Sequence, residues 1–404
     1  MLRKFWTEWT IALHFLKDGR AQTLMIITGV AVGVSVVVFI TALIQGLQSN
    51  IIDRTLGTQA HIRLLPPEEI NLRAPIDPDA VLLVQEIPRA QRLRSIDNWQ
   101  ALEDLLDGLP DLSAVSPVVS GPAFARRGEA LESVALVGID LPRYRRIIPI
   151  EDSLSSGALR VGAGDAMIGQ ELADKLGLSV GDKLRIDTGQ QNTTVVNVAG
   201  IFEFGVRDLD ERFVYLDLRQ AQSLLDLPGG VTVIDLTVED IFDAEAIGRQ
   251  LEALIGLDAE SWMETNAQLM NALSAQSLST NLIKIFVGLS VAFGIASVLS
   301  ISVVQRTREI GILRATGASR QQILRVFLIE GAIFGLLGSL PGTLVAYGLV
   351  WVFNSFGPGL FYIPVPGSLV LTSVTLATLT GLLAAALPSR RAAQLDPVEA
   401  IRDV

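Results

Sequence analysis

The sequence predicts an α-helical membrane protein with four transmembrane helices plus an α+β extracytoplasmic domain inserted between helices 1 and 2. Three observations predict it: where charge is missing, where charge collects, and the mixed texture of the long stretch between the first two apolar runs. The chain has 404 residues, half of them apolar, and only 19% are charged, against about a quarter in a soluble domain. The shortfall is local. No charged residue lies between Arg20 and Asp53, between Lys284 and Arg306, or between Glu330 and Arg390. Each gap can hold the about 20 apolar residues that cross a hydrocarbon core, and the last can hold two such spans.

Taken in order, residues 1–23 form a cytoplasmic interfacial helix, with Phe5, Trp9, Leu13 and Leu16 at helical spacing on one face. The first span, 24–47, is too long for a cleavable signal core, and no small-residue cleavage site follows it, so it is expected to stay. Residues 48–281 form the extracytoplasmic domain. Strand-like runs begin at Ser133, Thr193, Phe213 and Val231. Helix-like runs begin at Asn98, Gly169, Leu218 and Asp243. The stretch from Gly177 to Asp182 reads as a helix stop and a turn. The Pro-rich segment Leu64 to Asp79 reads as an irregular arm. Both flanks of this domain are either helical stalks or short linkers. Residues 282–404 hold three spans, near 282–304, 328–353 and 368–387, with a basic loop at 305–324 and a C-terminal tail. Asn354 to Gly367, rich in Gly and Pro, supplies the turn between the last two spans.

Charge orients the chain. Outside residues 48–278 there are 13 Lys+Arg against 7 Asp+Glu, and within them 19 against 36. Positive flanks stay cytoplasmic, so both termini and the 305–324 loop are expected inside and the acidic domain outside. An acidic surface also argues against a nucleic-acid partner. The chain has no cysteine, which excludes disulfides and thiolate sites. It carries no phosphate-loop, G-x-S-x-G or H-E-x-x-H motif. His14 and His61 are too isolated for a metal cluster, and Asp208–Arg212 reads as a solvated turn rather than a cation site. No cofactor is indicated and no catalysis of the chain's own.

The loop is more distinctive. Arg306, Arg308, Arg314, Arg320 and Arg325 crowd one membrane surface, with Ile310, Ile312 and Leu313 among them. Gly317 to Ser319 break the helix, and Ser319 can cap the next one. A short basic and apolar helix between two spans suits docking into a groove of another protein. Glu330 can pair with Arg325 or Arg306. Lys284, at the outer end of its span, can snorkel to the headgroups. Gly29/Gly33, Gly331/Gly335 and Gly338/Gly342 form G-x-x-x-G pairs, which serve either packing within the chain or dimer formation.

The run Arg306–Ser319, R-T-R-E-I-G-I-L-R-A-T-G-A-S, resembles the signature of the MacB/FtsX-type ABC transporter permeases. Pro388 to Arg402 resembles that family's closing motif, and I-G-Q-E-L-A-D-K-L-G-L-S-V-G-D and V-V-N-V-A-G-I-F resemble its periplasmic core. The W-x-x-x-N run from Trp262 to Asn266 looks closest to the lipoprotein-releasing LolC/LolE permeases. The resemblance implies a multi-pass protein of the bacterial inner membrane with cytoplasmic termini. It implies a dimer of cytoplasmic ABC ATPase subunits as partner, and a second permease protomer, identical or not. It also implies mechanotransmission, in which the ATPase moves an outer domain and cargo is handled from the outer side. Carried onto this chain, the coupling residues are Arg308, Glu309 and Arg314 for polar contacts, Ile312 and Leu313 for packing, and Gly317 for the turn. For lipoprotein release, acyl chains from the membrane lipid would enter between the first two spans, near Phe39, Leu43, Leu47, Ile285 and Leu289, residues that otherwise face lipid or pack internally. A periplasmic carrier or adaptor would receive the cargo, with the arm at Pro66–Pro78 as either a docking hook or a disordered loop. A MacB- or DevC-like exporter and an FtsX-like signalling permease remain as alternatives.

Overall fold

The computed structural model describes residues 2–67, 93–189, 192–357, 359 and 361–395. The arm from Pro66 onward lies outside the described residues after Pro67, and so does the closing motif after Leu395. The chain divides into two compact units, Met1–Ile52 with Asn271–Val404, and Asp53–Met270.

The first unit is helical. Its helices are α1 (Leu2–Asp18), α2 (Arg20–Leu56), α3 (Ala267–Gln305), α4 (Thr307–Ala315), α5 (Arg320–Phe356), α6 (Gly367–Ala384) and α7 (Ala386–Gln394). Among the described residues four segments are long and apolar enough to cross a membrane: α2, α3, α5 and the α6–α7 run. Helix α2 continues to Leu56 and α3 starts at Ala267, so both flanks of the long middle stretch are helical. Helix α5 is the most buried of these segments and α3 the least. Its buried side includes Ile323, Val326, Phe327, Ile333 and Phe334.

Glycine makes this packing close. A Cβ at Gly331 or Gly335 would run into Gly381 and Ala377 on α6, and one at Gly338 or Gly342 into Val30 and Ala31 on α2. Gly33 faces Val291 on α3, whereas Gly29 meets nothing within 4 Å. Five of these six glycines therefore pack helices within one chain, where the lost side chain is offset by backbone contact. The α5–α6 turn is closed by Asn354, whose amide bonds both the N–H and the C=O of Ile363 at 3.0 and 3.1 Å.

On α1 the expected apolar face splits. Ala12, Phe15 and Leu16 are buried, while Trp9 and Leu13 are exposed. The core-facing stripe also carries Glu8, buried beside Arg325.

The second unit is built on one mixed sheet. Its strands are β1 (Ile62–Leu65), β2 (Leu112–Arg127), β3 (Ala130–Ile139), β4 (Leu154–Gly157), β5 (Asp165–Gly169), β6 (Lys183–Asp187), β7 (Thr193–Phe202), β8 (Phe213–Asp217), β9 (Val233–Val238) and β10 (Asp258–Ser261). The order is β10-β1-β9-β2-β3-β8-β5-β7-β4, with β6 paired to β2 and β7. β3 runs parallel to β8 and β5 parallel to β7, while the other pairings are antiparallel. Helices Trp99–Asp107, Gln170–Leu176, Leu218–Leu224 and Ala244–Ile255 accompany it. The helix from Gln170 ends where Gly177 takes φ +63° and Leu178 N–H returns to the Ala173 carbonyl at 2.8 Å, a left-handed stop that glycine permits without strain.

Candidate functional site

The basic segment at 305–324 folds as the expected helix, break and second helix. Chain direction changes at Arg306, whose φ of −105° and ψ of 18° separate α3 from α4. Ile310 and Gly311 turn inward, and Leu313 packs against the helical core. Arg308, Glu309 and Ile312 are exposed, forming one face at i, i+1 and i+4. Gly317 ends the segment at φ +103°, a conformation that side chains with a Cβ avoid. Ser319 then caps α5: its Oγ accepts from Gln322 N–H at 3.3 Å, and Gln322 Oε1 accepts from Ser319 N–H at 2.8 Å.

Arg314 does not share the exposed face. Its Nη1 donates to the carbonyls of Ala393 and Leu395, each at 2.9 Å. Those carbonyls lie at the C-terminal end of α7, where main-chain acceptors are left over and a cation is favoured. The segment is thus pinned from behind by one arginine while another stays open to solvent. Glu330 takes Arg306 as its ion-pair partner, and Arg325 instead reaches Glu8 at 3.5 Å.

The five apolar candidates do not gather on one surface. Phe39 and Leu43 pack against the helical core and Leu47 is half-buried, whereas Ile285 and Leu289 stand exposed on α3. What lies between α2 and α3 is a groove of about 450 Å³. Met25, Gly29 and Val32 line one wall, and Val287, Ser290 and Gly294 the other. Its floor is apolar and branched, with Ile26, Val30 and Ile295 buried beneath it, while Gly29, Ser290 and Gly294 are exposed. Lys284 is half-buried and lines a recess adjoining the groove, with Gly33, Val37, Ser373 and Thr380.

The mixed unit has its own cavity of about 550 Å³, lined by Arg54, Gln59, Arg63, Tyr144, Asp208 and Asp235 among others. Asp235 is buried, with Arg63 Nε 3.6 Å from one carboxylate oxygen. Burial pushes its carboxyl up to about 6, and Arg63 only partly opposes this. Tyr144 and Tyr215 pack with ring centroids 5.8 Å apart, and burial raises both phenols.

Other motif residues are structural. His61 Nδ1 accepts from Val238 N–H at 3.1 Å, and burial lowers its basicity. Asp210 accepts from the N–H groups of Phe204 and Gly205 at 2.8 and 3.0 Å, so Asp208–Arg212 is a short helix tying a loop and not a solvated turn. Among the described residues no cluster of His, Cys, Asp and Glu could hold a metal. Trp262 is buried and donates Nε1–H to the Ile241 carbonyl at 2.7 Å. Asn266 donates to the Trp262 carbonyl at 2.8 Å. The W-x-x-x-N run therefore closes the mixed unit immediately before α3 starts.

A family model described as MacB-like periplasmic core domain matches residues 23–254, and one described as FtsX-like permease C-terminal matches residues 281–397. The lipoprotein-releasing system transmembrane protein LolC of Xylella fastidiosa (strain 9a5c) is 25% identical over 430 residues, covering 97% of this chain and 98% of that protein. The pyoverdine export ATP-binding/permease protein PvdT of Pseudomonas syringae pv. tomato is 28% identical, covering 95% of this chain and 57% of that one. The crystal structure of the periplasmic region of MacB from Actinobacillus actinomycetemcomitans aligns with 54% of this chain and 95% of its own at 13% identity, with a TM-score of 0.35.

Proposed function

Because this chain belongs to the MacB/FtsX-type ABC transporter permeases, we propose that it draws lipoproteins or similarly lipophilic cargo from the outer leaflet of the inner membrane by mechanotransmission. The observation that carries this reading is the likeness to LolC, which runs through 97% of this chain and 98% of that protein. The groove between α2 and α3 supports it, since its apolar lining, floored by Ile26, Val30 and Ile295, suits an acyl chain. Removing a lipid anchor costs about 0.8 kcal/mol per methylene, on the order of 10 kcal/mol for one long chain. That scale calls for ATP, supplied by a partner ATPase docked on Arg308, Glu309 and Ile312. Leu313, Arg314 and Gly317 shape and hold the docking helix from within. A second protomer completes the cargo site.

An exporter working with an adaptor and an outer-membrane channel is the second reading, favoured by the likeness to PvdT across 95% of this chain. Both readings are tested by isolating the full-length protein in mild detergent and identifying what accompanies it by mass spectrometry. Lipidated proteins and a soluble carrier support the first, and a membrane-fusion adaptor the second. A cell-wall hydrolase in their place would sink both and point to signalling. An Arg308→Glu variant should still insert but lose the ATPase, and undiminished ATPase recovery would remove Arg308 from the docking face.

A further inference from the structure

Arg306 is placed where the docking helix leaves α3, and its side chain is committed to two other elements. One Nη donates to the carbonyl of Phe15 on α1, and the guanidinium lies over the Phe15 ring, 4.6 Å from its centroid. The other Nη is 3.9 Å from Glu330 Oε1 on α5. Both side chains are withdrawn from solvent, at 11% and 3% exposure. Gly19, at the break between α1 and α2, leaves room for the guanidinium, which would lie 3.2 Å from a Cβ there. Phe15 also packs on Phe327 of α5, with ring centroids 6.0 Å apart.

As a stabilising device the pair is poor. At 3.9 Å it makes no direct hydrogen bond, and Arg306 Nη1 and Glu330 Oε2 are buried without hydrogen-bond partners. Two charges taken out of water with incomplete pairing seldom add net stability. Such a pair does specify geometry, because each charge strongly disfavours any position in which it loses the other.

We infer that Arg306 is the positioning residue that locks α4 to α1 and α5, so that the N-terminal helix, the docking helix and the central span move as one body. This deepens the proposed function, since a push on α4 from an ATPase would otherwise be absorbed by the break at Arg306. Arg314 holds the far end of α4 to the end of α7. The helix is therefore held at both ends by arginines bonded to main-chain carbonyls of other helices.

The test uses the full-length chain, whose lack of cysteine lets spin labels be placed by Leu13→Cys on α1 and Ala315→Cys on α4. Without any partner, the parent chain should give one narrow distance. Arg306→Ala should broaden it at least twofold. Arg306→Lys, which keeps the charge but not the fork over Phe15, and Glu330→Gln should give intermediate widths with melting temperatures near the parent's. Arg325→Ala, which removes the more exposed pair to Glu8, should leave the width unchanged. With the co-purified ATPase and ATP, the parent distance should stay constant, and that of Arg306→Ala should shift. A width unchanged in both Arg306 variants overturns the inference, whatever the ATPase does. An absence of any co-purifying ATPase, with the broadening intact, counts against the functional reading alone.

Discussion

Arg308 and Arg314 lie six positions apart and look alike in the sequence, yet one guanidinium faces solvent and the other caps the end of α7. Spacing alone cannot separate them, because the acceptors for Arg314 come from a segment about 80 residues away. The same holds for Asp235, which the sequence shows only as one acid within a β-branched strand. Its carboxyl is buried beside Arg63 and pushed up to about 6. The folded chain therefore binds this proton more tightly than the unfolded chain does. The associated stability is fully present below about pH 4 and is lost as pH rises through about 6. A rise from the ordinary carboxylate range to that value is worth roughly 3 kcal/mol. This contribution should thus be lost between pH 4 and pH 7.5, so the stability of the parent chain should fall relative to that of Asp235→Asn across the range. Parallel denaturation curves for both chains across this range, with the same slope, would refute the assignment.

Elements were legible where their period was unbroken. The runs beginning at Thr193, Phe213 and Val231 lie in or lead into β7, β8 and β9, and those at Leu218 and Asp243 became helices. Strand β2 was not legible. It is the longest strand, 16 residues, but Pro117, Pro122 and Gly121 punctuate it as a loop would be punctuated. Pairing to β9, β3 and β6 overrides that signal, with a bulge between Leu112 and Ala114. Glycine spacing in the spans was visible, but its use was not. Gly335 lies against the backbone of Ala377 and Gly29 against nothing, although both belong to the same type of motif. Gly335→Leu should therefore push α5 from α6 and cost about 1–3 kcal/mol, while Gly29→Ala should be close to neutral. Melting curves of the two variants in detergent decide it, and equal losses would contradict the packing described.

For the whole molecule, the charge balance outside and inside residues 48–278 predicts opposite membrane sides for the mixed unit and the docking helix. In intact cells, an impermeant maleimide should label Leu254→Cys in the mixed unit and spare Thr316→Cys after the docking helix. Both positions are exposed in the structure, so a failure to label reports sidedness and not burial. Labelling of both, or of Thr316→Cys alone, would reverse the orientation on which the ATPase reading depends.

The sequence by itself determined the four apolar spans, the basic signature run at Arg306–Ser319 and the family, because hydropathy and short motifs are local properties of the chain. Tertiary structure alone decided which arginines bind inward and which face out, which glycines touch a neighbour, and which acid loses its water. Each of these depends on groups brought together from distant parts of the chain, and the burial that sets their energies exists only once those parts have packed.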